Sequence, residues 1–93
     1  SCDYGPDARV LKNIGQKKIM FSKSAEVMML EEAIDSTKIY RTLRTGDVNF
    51  SESNTSLKTC KLYVIYKTFE SKQIKLFVEN CDDIATVKSI SVK

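Results

Sequence analysis

The sequence predicts an α+β domain, with one main helix packed on an antiparallel sheet of about four or five strands. Three runs of residues carry that reading. Residues 24–35 are strong helix formers, with Val27, Leu30 and Ile34 repeating at intervals of three and four. Residues 59–68 and 73–81 are rich in β-branched and aromatic side chains and are separated by Phe69-Glu70-Ser71-Lys72. Residues 85–92 close the chain with Val87, Ile90 and Val92 apolar. Ninety-three residues hold one small domain with a single core, so residues 1–93 are read as one unit.

Taken in order, residues 1–6 form an irregular lead ending in Gly5-Pro6. Pro6 suits a first helical position, Asp7 suits the first turn, and Val10, Leu11 and Ile14 share a face before Gly15 stops a short helix. Lys17 to Phe21 is short and apolar enough for a strand. Ser22 or Ser24 supplies an N-cap for the 24–35 helix, whose Met28 and Met29 widen the apolar stripe. Ile39, Tyr40, Thr42 and Leu43 favour a strand, Thr45-Gly46-Asp47 a turn, and Val48 with Phe50 a return strand. Residues 51–58 are polar and read as a loop. Asp82-Asp83 forms a turn, and the slip of apolar phase between Val87 and Ile90 indicates a bulge or an edge position.

The hairpin has a definite register. A turn centred between Glu70 and Ser71 opposes Val64 to Phe77, Tyr66 to Lys75 and Cys60 to Cys81. Directly opposed Cβ atoms are about 4.5–5.5 Å apart, within modest adjustment of the ~3.8 Å that a disulfide needs. The register therefore predicts a Cys60–Cys81 bridge, with two free buried thiols as the alternative. One face of the hairpin carries Cys60, Leu62, Val64, Tyr66, Phe77 and Cys81. The other carries Tyr63, Ile65, Ile74, Leu76 and Val78, with Lys61 and Lys67 at its ends. Both are largely apolar and one helix covers only one of them. The Tyr63, Ile65, Ile74, Leu76 and Val78 face is either covered by residues 4–21 or is a partner-binding surface.

Composition excludes several chemistries. There is no histidine, which removes imidazole general bases, Ser-His-Asp and Cys-His catalysis, and histidine metal sites. The three cysteines make no C-x-x-C pair, so no metal site or cofactor is implied. Glu31-Glu32 and Asp82-Asp83 are adjacent pairs whose members point apart, so they solvate a helix and a turn rather than form a catalytic dyad. Fifteen basic and twelve acidic residues are spread evenly, with eight and six in residues 1–46 and seven and six in 47–93. That spread gives no concentrated nucleic-acid footprint. Lys17-Lys18 with Lys12 and Lys23 is read as a solvated face. No apolar run reaches the ~18 residues of a membrane span.

A Cys60–Cys81 bridge places the chain in an oxidising compartment and leaves Cys2 over. Ser1-Cys2, followed by the polar lead Asp3 to Pro6, resembles the processed edge of a bacterial lipoprotein. The resemblance implies lipidation at Cys2 and a membrane anchor, and Asp3 implies retention at the inner membrane in an enterobacterial host. Asn49-Phe50-Ser51 and Asn54-Thr55-Ser56 also fit glycan acceptors, which matter only in a eukaryotic secretory protein.

The expected function is that of a non-enzymatic small cell-envelope protein, periplasmic or lipid-anchored. It binds and modulates or chaperones a larger protein partner. The alternative is a module binding single-stranded nucleic acid through Lys61, Tyr63, Lys67, Lys75 and Phe77; the register weakens it by placing Tyr63 and Phe77 on opposite faces. A cytoplasmic location is the alternative to the envelope, with a cytosolic regulator carrying reduced thiols as a third reading.

Overall fold

A computed structural model describes residues 6–54 and 60–93. Among them the element order is α1 (Pro6–Gly15), β1 (Lys18–Phe21), α2 (Lys23–Glu31), α3 (Ser36–Thr45), β2 (Asp47–Val48), β3 (Lys61–Phe69), β4 (Lys72–Asn80) and β5 (Ile84–Val92). The strands form one sheet in the order β1-β5-β4-β3-β2. The fold is α+β, with three helices and a mixed sheet in which only the β1–β5 pair is parallel. The expectation of one main helix and a wholly antiparallel sheet is corrected accordingly.

The β3–β4 hairpin has the expected register, from Lys61↔Asn80 to Phe69↔Lys72. Between β4 and β5 the pairing shifts from Phe77↔Ser89 to Val78↔Val87, a bulge that leaves Lys88 extra and accounts for the apolar phase slip. All three helices lie on one face of the sheet. Leu11 and Ile14 of α1, Ala25 of α2, and Ile39 and Leu43 of α3 form one buried cluster with Tyr63, Ile65, Ile74, Leu76, Val78, Ala85, Val87 and Ile90. An edge-on contact between the rings of Phe21 and Tyr40, 6.1 Å between centroids, joins β1 to α3.

Two elements differ from expectation for physical reasons. The 24–35 helix ends at Glu31, and Ser22 is its N-cap, accepting the Ala25 N–H at 3.1 Å. Its inward face is Ala25, Met28 and Met29, while Val27 is exposed and Leu30 is 85% exposed. The larger aliphatic residues had marked the wrong stripe, and Ile34 is buried only because the chain has already left the helix. The exit is a helix stop of the Schellman type: Ile34 N–H donates to Met29 O and Ala33 N–H to Leu30 O, with Ala33 in the left-handed region at φ 54°. The second difference is at residues 39–43, which form part of α3 rather than a strand. Ile39, Thr42 and Leu43 have helical spacing and are all buried, and Asp35 caps the helix by accepting the Lys38 N–H at 3.0 Å. The β-branched composition was overridden by periodicity and capping.

Gly46 ends α3 at a tight crossing. A Cβ there would lie 2.6 Å from both the Thr42 and the Tyr66 carbonyl oxygens. Gly46→Ala should therefore destabilise the fold by about 1–3 kcal/mol or more. Denaturant midpoints should also separate two leucine-sized positions. Ile39→Ala should cost about 2–5 kcal/mol as a buried truncation, and Leu30→Ala within about 0.5 kcal/mol as an exposed one.

Candidate functional site: the outer face of the sheet

Alternation along the strands divides the expected site residues between two surfaces. Tyr63, Ile65, Ile74, Leu76 and Val78 point under the helices and are buried. The expectation that these five form a partner-binding surface is corrected: they are the core. The N-terminal helix α1 covers part of that face, as one reading had it, but α2 and α3 cover the rest. Tyr63 is buried, and Phe77 projects from the opposite face. The two rings share no platform for stacking bases.

The outer face is the one that helices leave open. The β-ladder pairs place Met20, Thr86, Glu79 and Leu62 in one row across four strands. The next row toward the end of the hairpin carries Lys18, paired with Ile84, and the two cysteines that close β3 against β4. Cys60 and Cys81 lie with their Cα atoms 4.2 Å apart and their sulfurs at bonding distance. The row on the other side contains Phe77 opposite Val64. Met20, Leu62, Phe77 and Ile84 are each more than a third exposed. Glu79 is half-buried among them.

Val64 belongs to this face yet is buried, because the chain after β2 folds back on it. Asn49 N–H donates to Val64 O, Ser53 Oγ accepts the Val64 N–H at 2.9 Å, and Asn54 bridges to Leu62. The Asn49 carboxamide organises the excursion. Its Oδ1 accepts from Ser51 Oγ and Glu52 N–H, and its Nδ2 donates to Glu52 Oε2 at 2.9 Å. Glu52 then pairs with Lys75 at 3.1 Å, the one ion pair among the described residues. The expected 51–58 loop is thus an ordered strap up to Asn54, and its remainder, residues 55–58, lies outside the described residues. Asn49 Nδ2, the atom a glycan would modify, is engaged with Glu52, whereas Asn54 is exposed.

Lys17 was read as part of a solvated face and is instead structural. Its Nζ donates to Asn80 Oδ1 at 2.7 Å and to the Cys81 carbonyl, and Asn80 Nδ2 donates to Asn13 Oδ1 at 3.0 Å. This polar knot ties α1 to the end of β4 beside the cysteines. A Lys adjoining a second Lys gives no sequence signal for such a role. Asp7, placed in the first turn of α1, does more than complement the dipole: its carboxylate accepts the Val48 N–H at 3.0 Å and ties α1 to β2. Cys2, the expected lipidation site, lies outside the described residues.

The Cys60 and Cys81 sulfurs and a Glu79 carboxylate oxygen lie within 4.8 Å of one another. With the sulfurs bonded to each other neither offers a thiolate, so this trio is a metal-ligand set only in the reduced protein. No described helix is long and apolar enough to cross a membrane. Comparison with protein-family models, curated proteins and solved structures found no match.

The cysteine geometry has a direct test. Labelling the unfolded, unreduced chain should modify no more than the Cys2 thiol, and reduction should expose Cys60 and Cys81. The bridge closes a loop with a separation of 21 residues. Reduction should lower stability by up to about 3 kcal/mol, less whatever the hairpin already restrains. Three reactive thiols before reduction would remove the bridge.

Proposed function

We propose that the chain is a non-enzymatic binding protein of an oxidising, extracytoplasmic compartment, and that it docks a larger protein on the outer face of its sheet. Lipid attachment at Cys2 belongs to the same proposal and rests on the Ser1-Cys2-Asp3 resemblance. The carrying observation is the set of exposed apolar side chains around Glu79. An antiparallel sheet with one solvated face ordinarily alternates apolar-in with polar-out. Here Met20, Leu62, Phe77 and Ile84 are apolar and point out, on four adjacent strands. Apolar patches of this kind mark interaction surfaces.

The same face supports a reading of its occupant's chemistry. Glu79 has no ion-pair partner among the described residues. Its flanking positions are Leu62 on β3 and Thr86 on β5. A partner presenting a cationic side chain, best an arginine, within an apolar rim would bury the four side chains and pair the carboxylate together. The cysteine bridge would brace the hairpin end beside this patch and lower the entropy lost on docking.

Photo-crosslinkers placed at Leu62, Phe77 and, as a control, Val27 on α2 test the reading in native envelopes. Positions 62 and 77 should yield the same discrete adduct, position 27 should not, and Glu79→Lys should abolish the adduct without altering the melting temperature. Equal capture from position 27, or capture insensitive to Glu79→Lys, would overturn the assignment of the face.

A further inference from the structure

A second site lies on the other side of the molecule. Between the α2–α3 turn and the tip of the β3–β4 hairpin is an open cleft of about 510 Å³. This is within the range of small-molecule sites, roughly 300–1,000 Å³. Its floor is apolar: Ile34 and Ile74 are buried, and Phe69 and Val92 are half-buried. Its rim is charged. Lys38 and Arg41 stand three residues apart on α3, hence on one side of that helix, and Lys72 faces them from β4. Glu32 and Glu70 also line the cleft, leaving a surplus of one positive charge. None of the three cations is ion-paired among the described residues.

Both walls of the cleft turn on a residue in the left-handed region. Ala33, at φ 54°, and Glu70, at φ 53°, are the two non-glycine residues with positive φ among those described. Each occupies a position where glycine is favoured, one after a helix and one in a two-residue hairpin turn. Each is held in place: Ala33 by the paired helix-stop hydrogen bonds, and Glu70 by the Phe69↔Lys72 closure of the hairpin. Both turns are fixed by backbone hydrogen bonds independent of any ligand. The walls are therefore set before any ligand arrives.

The geometry points to this cleft as a binding site for a small amphiphilic anion, an aliphatic monocarboxylate whose chain lies on Ile34, Phe69, Ile74 and Val92 and whose headgroup meets Lys38 and Arg41. The surplus positive charge and the paired α3 cations select the anion over a neutral or cationic analogue of the same length. The apolar floor selects a chain over a bare carboxylate. The site shares no residue with the outer sheet face and stands or falls independently of it.

Amide-resolved NMR titration with octanoate, octanol and octylammonium tests the assignment. Octanoate should shift the amides of Ile34, Phe69, Ile74 and Val92 saturably, and the other two should bind at least about tenfold more weakly. Because all three substituted residues are exposed, the variants should keep the wild-type melting temperature. Lys38→Gln with Arg41→Gln should weaken octanoate about tenfold, while Glu70→Gln should tighten it by removing a repelling carboxylate. Equal binding of octanol, shifts confined to the outer face, no saturable shift up to the solubility of octanoate, or weaker binding by Glu70→Gln would each overturn it.

Discussion

The pairing of β3 with β4 is the constraint on which the molecule depends. Nine consecutive residue pairs run from Lys61↔Asn80 to Phe69↔Lys72, set by a turn of two residues. Because side chains alternate with a period of two, a slip of one position would turn one strand over relative to the other and carry its core residues to the outer face. A slip of β4 against a fixed β3, for example, would move Leu76 and Val78 to solvent and Phe77 under the helices. The register thus decides at once which residues make the core, which face stays open, and that Cys60 meets Cys81. The cysteines, at the far end from the turn, meet only in this register, so a bond between them would reinforce the alternative already favoured by packing.

Around that hairpin the helices solve a covering problem. A sheet of this width cannot be roofed by one helix, and the chain supplies α1 together with the α2–α3 crossover from one edge strand to the other. The two short edge strands do little pairing of their own. They are secured by side chains instead, through Asp7 to β2 and Ser22, whose Oγ donates to Lys88 O, at the end of β1. Short, side-chain-anchored edges leave little free backbone to template aggregation.

The legible parts of the sequence were those governed by local alternation and local turn chemistry. The two β-rich runs flanking Glu70-Ser71 announced the hairpin, and the phase slip after Val87 announced the bulge. What was not legible depended on contacts distant in sequence. Ile39, Thr42 and Leu43 are β-branched and aliphatic, and only their spacing against Asp35 marks a helix. Leu30 is the more hydrophobic residue, yet Ala25 is the buried one, because close approach of α2 to the sheet favours a small side chain there. The face holding Tyr63, Ile65, Ile74, Leu76 and Val78 was identified as a set, but its fate turned on helices that the sequence had understated. The outer patch was legible only in part: alternation puts Leu62 and Phe77 on one face, whereas Met20 joins them only through the parallel β1–β5 pair, and nothing local in its segment encodes a parallel neighbour.

That parallel pair also governs the order of assembly. Lys18 pairs with Ile84 and Phe21 with Val87, so the first strand finds its only partner in the last. Until β5 has been synthesised, β1 has no ladder to join. Its neighbour α1 gains the Asn13–Asn80 bond only when β4 is in place, although Asp7 already ties α1 to β2. A hairpin whose strands adjoin in sequence forms early, whereas closing a loop of more than sixty residues comes late and slowly. The parallel β1–β5 contact therefore joins a sheet whose β3–β4 hairpin is already formed.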